Sequence, residues 1–381
     1  MKMNVRDFLK LLAMLVAVPF VLTACDKDDD PDVIPVPDPD PVAPDYSVDA
    51  DKQGIYIFNS GNEGKSIDGS LSFINFSQKT VTNGVFAAKN GRSLGMTVQN
   101  GAIWGNKLYI AVYGSNTIEV MDKVTSQSIK QIKLGTADGL PRFVLADDSF
   151  VYVSTQTGFV TRINPETDAV DKTIAVGPNP EEMVILGNFL YVVNSDGLNY
   201  ENGYVNGKSV SKIDLTSFTE VKKIEIGINP TRIVTDGTNV YALSMGDYGA
   251  TPSSIWKIDA NDNATNTGIG ATWMAVSNGV LYTINSVYNE DWTTTNYYYA
   301  YNLANLGDKS MPMTFLAEPV DAPAAIVVDA ESGSIFVASY NLAYGFASYD
   351  TDGYVNQYDL SGNLVKKYDV GVGPCYMQVL R

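Results

Sequence analysis

Histidine is absent from this 381-residue chain, and only two cysteines are present. Without histidine the usual neutral-pH general base and the commonest metal ligand are both missing. Serine-histidine triads, histidine-bound metal hydrolases and zinc deaminases are therefore excluded. Carboxylate chemistry and binding without chemistry remain. Positive charge is also scarce, with 26 Lys and Arg against 43 Asp and Glu and a formal charge of -17. A phosphate backbone needs a dispersed cationic face, so nucleic acid is not the partner. The one extended apolar stretch, from Leu11 to Leu22, is short for a bilayer span.

What is present begins with an export signal over residues 1–24. Lys2, Arg6 and Lys10 supply the positive start, and the apolar stretch follows. It ends in Leu22-Thr23-Ala24-Cys25, which resembles the lipobox of bacterial lipoproteins. The resemblance implies that Cys25 is diacylated, exposed by cleavage and N-acylated, so that the chain is anchored rather than spanning. Residues 25–49 form an acidic tether in which Pro and Asp alternate, a pattern that supports neither helix nor ladder. Asp26-Lys27-Asp28-Asp29-Asp30 after the cysteine resembles the surface-export signal of Bacteroidetes lipoproteins, which implies an outer-membrane protein facing the cell exterior. Lipid on Cys25 leaves Cys375 without a partner; its apolar-alternating strand predicts a buried small hydrophobe.

Residues 50–381 are dominated by internal repetition. The pairs Ile55-Tyr56, Leu108-Tyr109, Val151-Tyr152, Leu190-Tyr191, Val240-Tyr241, Leu281-Tyr282 and Ile335-Phe336 mark seven copies of one phrase, 39 to 54 residues apart. In the third copy Arg142–Ala146, Phe150–Thr155, Gly158–Asn164 and Asp171–Val176 read as four short strands with turns between them. Four-strand units of this length, with no helical period, predict propeller blades. The chain ends on Gly373-Pro374-Cys375-Tyr376-Met377, a first-strand phrase without its three successors, and the first copy lacks that strand. The fold expected is an all-β, seven-bladed propeller of four-stranded blades, its ring closed by the C-terminal strand joining the first blade. A two-sheet sandwich does not need seven phrases, and the rungs of a β-helix are much shorter.

With strands labelled a to d from the axis outward, the b–c and d–a connections share one face. The b–c insertions Asn59–Gly69, Ser195–Ser209, Met245–Ser253, Ser286–Asn296 and Tyr340–Gly353 carry most of the length variation. Their candidate ligand-binding residues are Asn62, Tyr200, Tyr204, Tyr248, Tyr288, Trp292, Tyr344, Phe346 and Tyr349, with Tyr340 beside them. Strand c of the sixth copy adds Tyr297-Tyr298-Tyr299 and Tyr301. Aromatics in polar loops give contact area at small entropic cost. The starts of the a strands place Arg142, Glu182, Arg232, Trp273, Ala324 and Tyr376 at the channel mouth on the same face. Removal of residues 1–24, three basic and one acidic, takes the charge from -17 to -19, and the nine Asp and one Lys of 26–49 leave the body with -11. That balance disfavours polyanions and favours a broad, neutral or partly cationic ligand.

The repeats resemble YncE-like, or YVTN, seven-bladed propellers, and with the lipobox and acidic tract the whole mature chain resembles Bacteroidetes surface lipoproteins that carry them. The nearest resemblance is to cobalamin-binding surface lipoproteins that sit over the outer-membrane vitamin B12 transporter. It implies capture of corrinoid outside the cell and delivery to a TonB-dependent barrel, with cobalamin as transported ligand, no cofactor and no enzymatic activity. Without histidine, cobalt cannot be ligated by imidazole, so recognition would rest on shape, hydrogen bonding and apolar contact. Three other readings stand beside it: glycan binding for a carbohydrate-uptake system, an adhesive protein-binding face, and an enzyme using Glu181-Glu182, Glu290-Asp291 or Asp350-Thr351-Asp352. Asp259-Ala260-Asn261-Asp262-Asn263 alternates oxygen ligands as a calcium loop would, yet reads more simply as a c–d turn.

Overall fold

The computed structural model describes residues 44–306 and 315–381; the export signal, Cys25 and most of the tether lie outside them. Pro44–Arg381 forms one compact unit. The lead-in packs because Val48 joins the apolar cluster of the first two blades and the Lys123 ammonium donates to the Asp45 carbonyl at 2.8 Å.

Seven antiparallel sheets make a seven-bladed propeller. Six show four strands, and the sixth shows three among the described residues. The inner strands a, in blade order 1 to 7, are Pro374–Leu380, Val98–Trp104, Pro141–Ala146, Pro180–Leu186, Pro230–Thr235, Trp273–Ser277 and Ala322–Asp329. Each touches the next, and the last touches the first. Closure is made as the sequence predicts: Pro374–Leu380 pairs antiparallel with Gly54–Asn59, with Ile55 opposite Val379 and Ile57 opposite Met377. The free edge that a linear stack of blades would leave is removed.

The repeated phrases have physical reasons. The b strands are the most buried, six of six residues in Gly54–Asn59 and five of five in Val151–Thr155. Their paired residues Tyr56, Tyr109, Tyr152, Tyr191, Tyr241, Tyr282 and Phe336 all lie in the core between blades. The d strands form the outer rim and are mostly exposed, as in Ala169–Ala175. Four of the a strands open on proline, whose missing N–H is tolerated at the first residue of a strand. The Val-Gly phrase before them exists because that glycine lies on the end of the next b strand. A Cβ on Gly227 would meet Ser244 Cβ at 2.9 Å, and one on Gly177 would overlap Asn194, whose Oδ1 accepts from the Gly177 N–H at 3.0 Å.

Six a strands carry a β-bulge just after their first residues, next to the channel mouth. A bulge re-aims side chains out of the sheet's alternation. Among the described residues no helix is long and apolar enough to cross a membrane.

Candidate functional site

The bulges set the floor of the candidate site. In blade 4 the bulge lies between Pro180 and Met183 and holds Glu181 and Glu182. It sends them to opposite neighbours. Glu181 accepts from Arg142 Nε and Nη2 of blade 3 at 2.9 and 2.7 Å. Glu182 accepts from Arg232 Nη1 of blade 5 at 2.6 Å and from the Ile233 N–H at 3.2 Å. Burial pushes the Glu182 carboxyl above the usual range, although Arg232 and the backbone bond oppose it. The adjacent acids are therefore not an open carboxylate pair, since each is held by its own arginine.

Arg232 also donates from Nε to the Thr272 carbonyl at 3.2 Å, and its guanidinium carbon stands 3.4 Å from the ring centroid of Trp273 in blade 6. Trp273 packs on the clusters between blades 6 and 7 and between blades 7 and 1. Tyr376 of blade 1 meets Phe143 edge-on at 5.5 Å and Phe58 at 6.0 Å, and touches the clusters of blades 1–2 and 3–4. Ala324 is buried. Cys375 is half-buried, not fully buried as its strand pattern predicts, because the bulge turns it to the carbonyls of Phe58, Val98 and Gln99 at 3.4, 3.4 and 3.0 Å. Burial pushes its thiol up to about 12 against the nearby charges of Arg142 and Arg232.

The rim is built by the b–c loops. Tyr204 and Tyr248, from blades 4 and 5, meet edge-to-face at 6.4 Å. Tyr340 and Tyr349 of blade 7 do so at 4.9 Å. Tyr288, Tyr344, Phe346 and Tyr349 are 57%, 100%, 49% and 51% exposed, whereas Tyr204 is buried and Tyr200 half-buried in a short 3-10 helix, Gly197–Asn202. Burial raises the hydroxyl pKa of Tyr248, Tyr340 and Tyr349. Beyond that, Tyr248 is raised by Tyr288 and Glu181, Tyr340 by Cys375 and Tyr349, and Tyr349 by Tyr288, while Arg232 opposes the first two.

Four rim aromatics hold left-handed backbone: Tyr204 at φ 58°, Tyr248 at 56°, Trp292 at 68° and Tyr344 at 55°. That region is costly for bulky side chains and is normally filled by Gly or Asn. In blade 7, Tyr344 and Gly345, both at positive φ, turn a ribbon between Leu342–Ala343 and Phe346–Ala347.

Several sequence-predicted residues are placed differently from a ligand-facing role. Asn62 ties two loops together, donating to the Tyr349 carbonyl at 2.8 Å and accepting from the Lys65 N–H at 3.1 Å. The sixth insertion is mostly strand, since Val280–Tyr288 and Thr294–Asn302 run on as a hairpin and leave only a tip that includes Trp292. Tyr297, Tyr299 and Tyr301 belong to the flank of that blade, and Tyr298 turns the other way into the cluster with blade 7. Tyr113 and Glu181 join the mouth without having been singled out as ligand contacts. Tyr113 lies under Arg142 at 5.6 Å and bonds Gln156, but its loop is too short to register as an insertion. Asp291 and Asp350 are engaged by Thr293 and Ser348. Asp259 accepts from the N–H groups of Asn261 and Asn263, as a c–d turn requires. Among the described residues no cluster of three or more Cys, Asp or Glu is arranged to hold a metal ion.

Comparison with solved structures gives the fold. A functionally unknown protein from Desulfotomaculum acetoxidans DSM 771 is 12% identical, with a TM-score of 0.58 over 86% of this chain and 99% of that one. Kuenenia stuttgartiensis hydrazine synthase is 14% identical, with a TM-score of 0.55 over 71% and 85%. The dihydro-heme d1 dehydrogenase NirN, in complex with DHE, is 12% identical, with a TM-score of 0.51 over 89% and 77%. No curated protein matches the sequence at a significant level. Residues 53–370 match the family described as "Domain of unknown function (DUF5074)".

Proposed function

The chain belongs to the DUF5074 family, and from that premise and the geometry of the loop face we propose a binding propeller without catalytic activity. In this reading it is lipid-anchored through Cys25 on the outer membrane, faces the cell exterior, captures corrinoid on the b–c loop face and passes it to a TonB-dependent outer-membrane transporter. The observation that carries the binding role is the set of three aromatics that are not buried, Tyr248, Trp292 and Tyr344, in left-handed backbone on one rim. Such conformations cost about 1–2 kcal/mol each relative to the right-handed form. Strain of this kind concentrates where side chains serve recognition rather than stability.

The floor supports an uncharged ligand. Arg142 and Arg232 are each matched by a glutamate, so the mouth carries no uncompensated positive charge for a polyanion. Tyrosine rings and hydroxyls together supply apolar area and hydrogen bonds, which suits a broad ring system fringed with amides. The choice of corrinoid within that class rests on the resemblance of the repeats, lipobox and acidic tract. Titration of the lipid-free protein with cyanocobalamin, followed by visible absorbance and calorimetry, tests it. One saturable site at micromolar concentration or below is expected, weakened at least tenfold by combined Tyr288→Ala, Tyr344→Ala and Tyr349→Ala. No saturable binding at about 100-fold higher concentration would end the corrinoid reading; a neutral glycan saturating the same face would move the protein to the carbohydrate-uptake class.

A further inference from the structure

The rim of the loop face is extended on five consecutive blades and short on the other two. In blade 2 the sheet stops level with its inner strand: Val98 pairs with Val112, Val112 pairs with Thr117, and residues 113–116 make the whole b–c turn. Blade 3 does the same, with Pro141 opposite Thr155, Thr155 opposite Phe159 and residues 156–158 as the turn. The other blades run on. In blade 6 Trp273 pairs with Ile284, and the hairpin continues for four more pairs, from Asn285 with Tyr297 to Tyr288 with Thr294. Four such pairs add about 13 Å of strand. The loops of blades 7 and 1 are clasped, by Asn62 on the Tyr349 carbonyl at 2.8 Å and by Lys65 with Asp350 at 3.5 Å. Those of blades 4 and 5 meet at Tyr204 and Tyr248. The extended rim therefore follows the ring from blade 4 through 5, 6 and 7 to blade 1, and leaves a gap over blades 2 and 3.

The gap is fixed by its own bonds. Asn116 Nδ2 donates to the Leu134 and Gly135 carbonyls at 3.2 Å each, and its Oδ1 accepts from the Leu140 N–H at 2.6 Å, which ties the connection 134–140 to the turn of blade 2. Asn179 Nδ2 donates to the Gln156 carbonyl at 2.8 Å and ties the next connection to the turn of blade 3. Chemistry divides along the same line. Among the described residues, the exposed large apolar side chains in the loops of this face all lie in blades 4 to 7, Leu198, Tyr248, Tyr288 and Tyr344 among them. The sector over blades 2 and 3 instead exposes Thr136 and Thr157, beside the half-exposed Arg142 and its partner Glu181. One side of the face is aromatic and extended, the other hydrophilic and short.

We propose that the loop face takes an amphiphilic ligand in one orientation, with an apolar-faced ring system against the aromatic loops of blades 4 to 7 and a hydrophilic appendage running out across the gap over blades 2 and 3. A ligand apolar or polar throughout would leave one sector unmatched. The inference rests on the corrinoid reading and deepens it: the methyl-bearing macrocycle takes the aromatic sector, and the nucleotide tail takes the gap.

The test is calorimetry of the full chain with two probes, cyanocobalamin and dicyanocobinamide, the second of which lacks the nucleotide tail. Thr136→Trp with Ala137→Trp narrows the gap; both residues are exposed in the connection 134–140, and Ala137→Trp alone serves if the double variant does not fold. The gap variant is expected to weaken cyanocobalamin about tenfold or more and to leave dicyanocobinamide within about twofold. Tyr288→Ala with Tyr349→Ala is expected to weaken both probes alike, by about fivefold or more, because the ring system is common to them. Equal loss of both probes in the gap variant, or no loss of cyanocobalamin, overturns the inference and leaves corrinoid binding standing. Binding of only one probe to the unaltered chain does the same, since the shared ring system is the part that is gripped. Failure of both probes to bind the unaltered chain overturns the corrinoid reading and this inference with it.

Discussion

At the scale of single residues, two kinds of strained position divide between fold and site. Gly177 has no room for a side chain, because the amide of Asn194 occupies the space and binds its N–H. Gly177→Ala should cost about 2 kcal/mol in urea denaturation, the range for an overpacked core position. Tyr344 is the opposite case: it is fully exposed, at φ 55°, and contributes no burial. Tyr344→Asn should therefore raise stability by about 0.5–1 kcal/mol in the same assay while weakening the ligand of the loop face. The glycine was legible in the sequence as the recurrent Val-Gly phrase. The left-handed tyrosines were legible only as loop aromatics, since local propensity assigns that backbone to Gly and Asn. The role of Asn62 was not legible at all, because its partner, the Tyr349 carbonyl, lies 287 residues away.

At the scale of elements, the closing strand is the clearest gain from the sequence. A first-strand phrase without successors and a first blade without a first strand could only be reconciled by pairing the two ends. Deletion of residues 374–381 should expose the unpaired edge of Gly54–Asn59 and open the mouth at Tyr376. Size-exclusion chromatography of the truncated chain is expected to show oligomers, and thermal unfolding to lose its single transition. The sixth blade was less legible. Thr293-Thr294-Thr295-Asn296 carries no apolar alternation and reads as loop, yet it pairs in register with Ser286, Val287 and Tyr288 from Thr294 onward. Tertiary pairing extended the hairpin beyond what local pattern encodes. The same extension moved three tyrosines from an expected face to an actual flank. The bulges were likewise invisible, because a single extra residue after proline leaves the hydrophobic pattern on either side intact.

At the scale of the whole molecule, the ring assigns different work to its surfaces. The face of the b–c loops carries the aromatics and the bulged starts of the a strands. The a–b and c–d turns on the opposite face are short and hold buttressing pairs such as Lys107 with Asp168 and Lys212 with Asp262, at 2.8 and 2.7 Å. The lead-in from Pro44 lies on that opposite face, beside the Lys123 turn, and Arg381 ends there against Asp329 and Glu331. Histidine's absence keeps its weight in this picture: the acids at the mouth are bound to arginines, and what remains on the face is ring area and hydroxyls. In the proposed function the ligand sits on that face. Hydrogen-deuterium exchange of the lipid-free protein with and without saturating cyanocobalamin measures this most directly. Slower exchange is expected in the b–c loops, across residues 197–206, 246–252, 287–294 and 341–351, with the a–b and c–d turns unchanged. No protection, or protection confined to the turns of the opposite face, would contradict it.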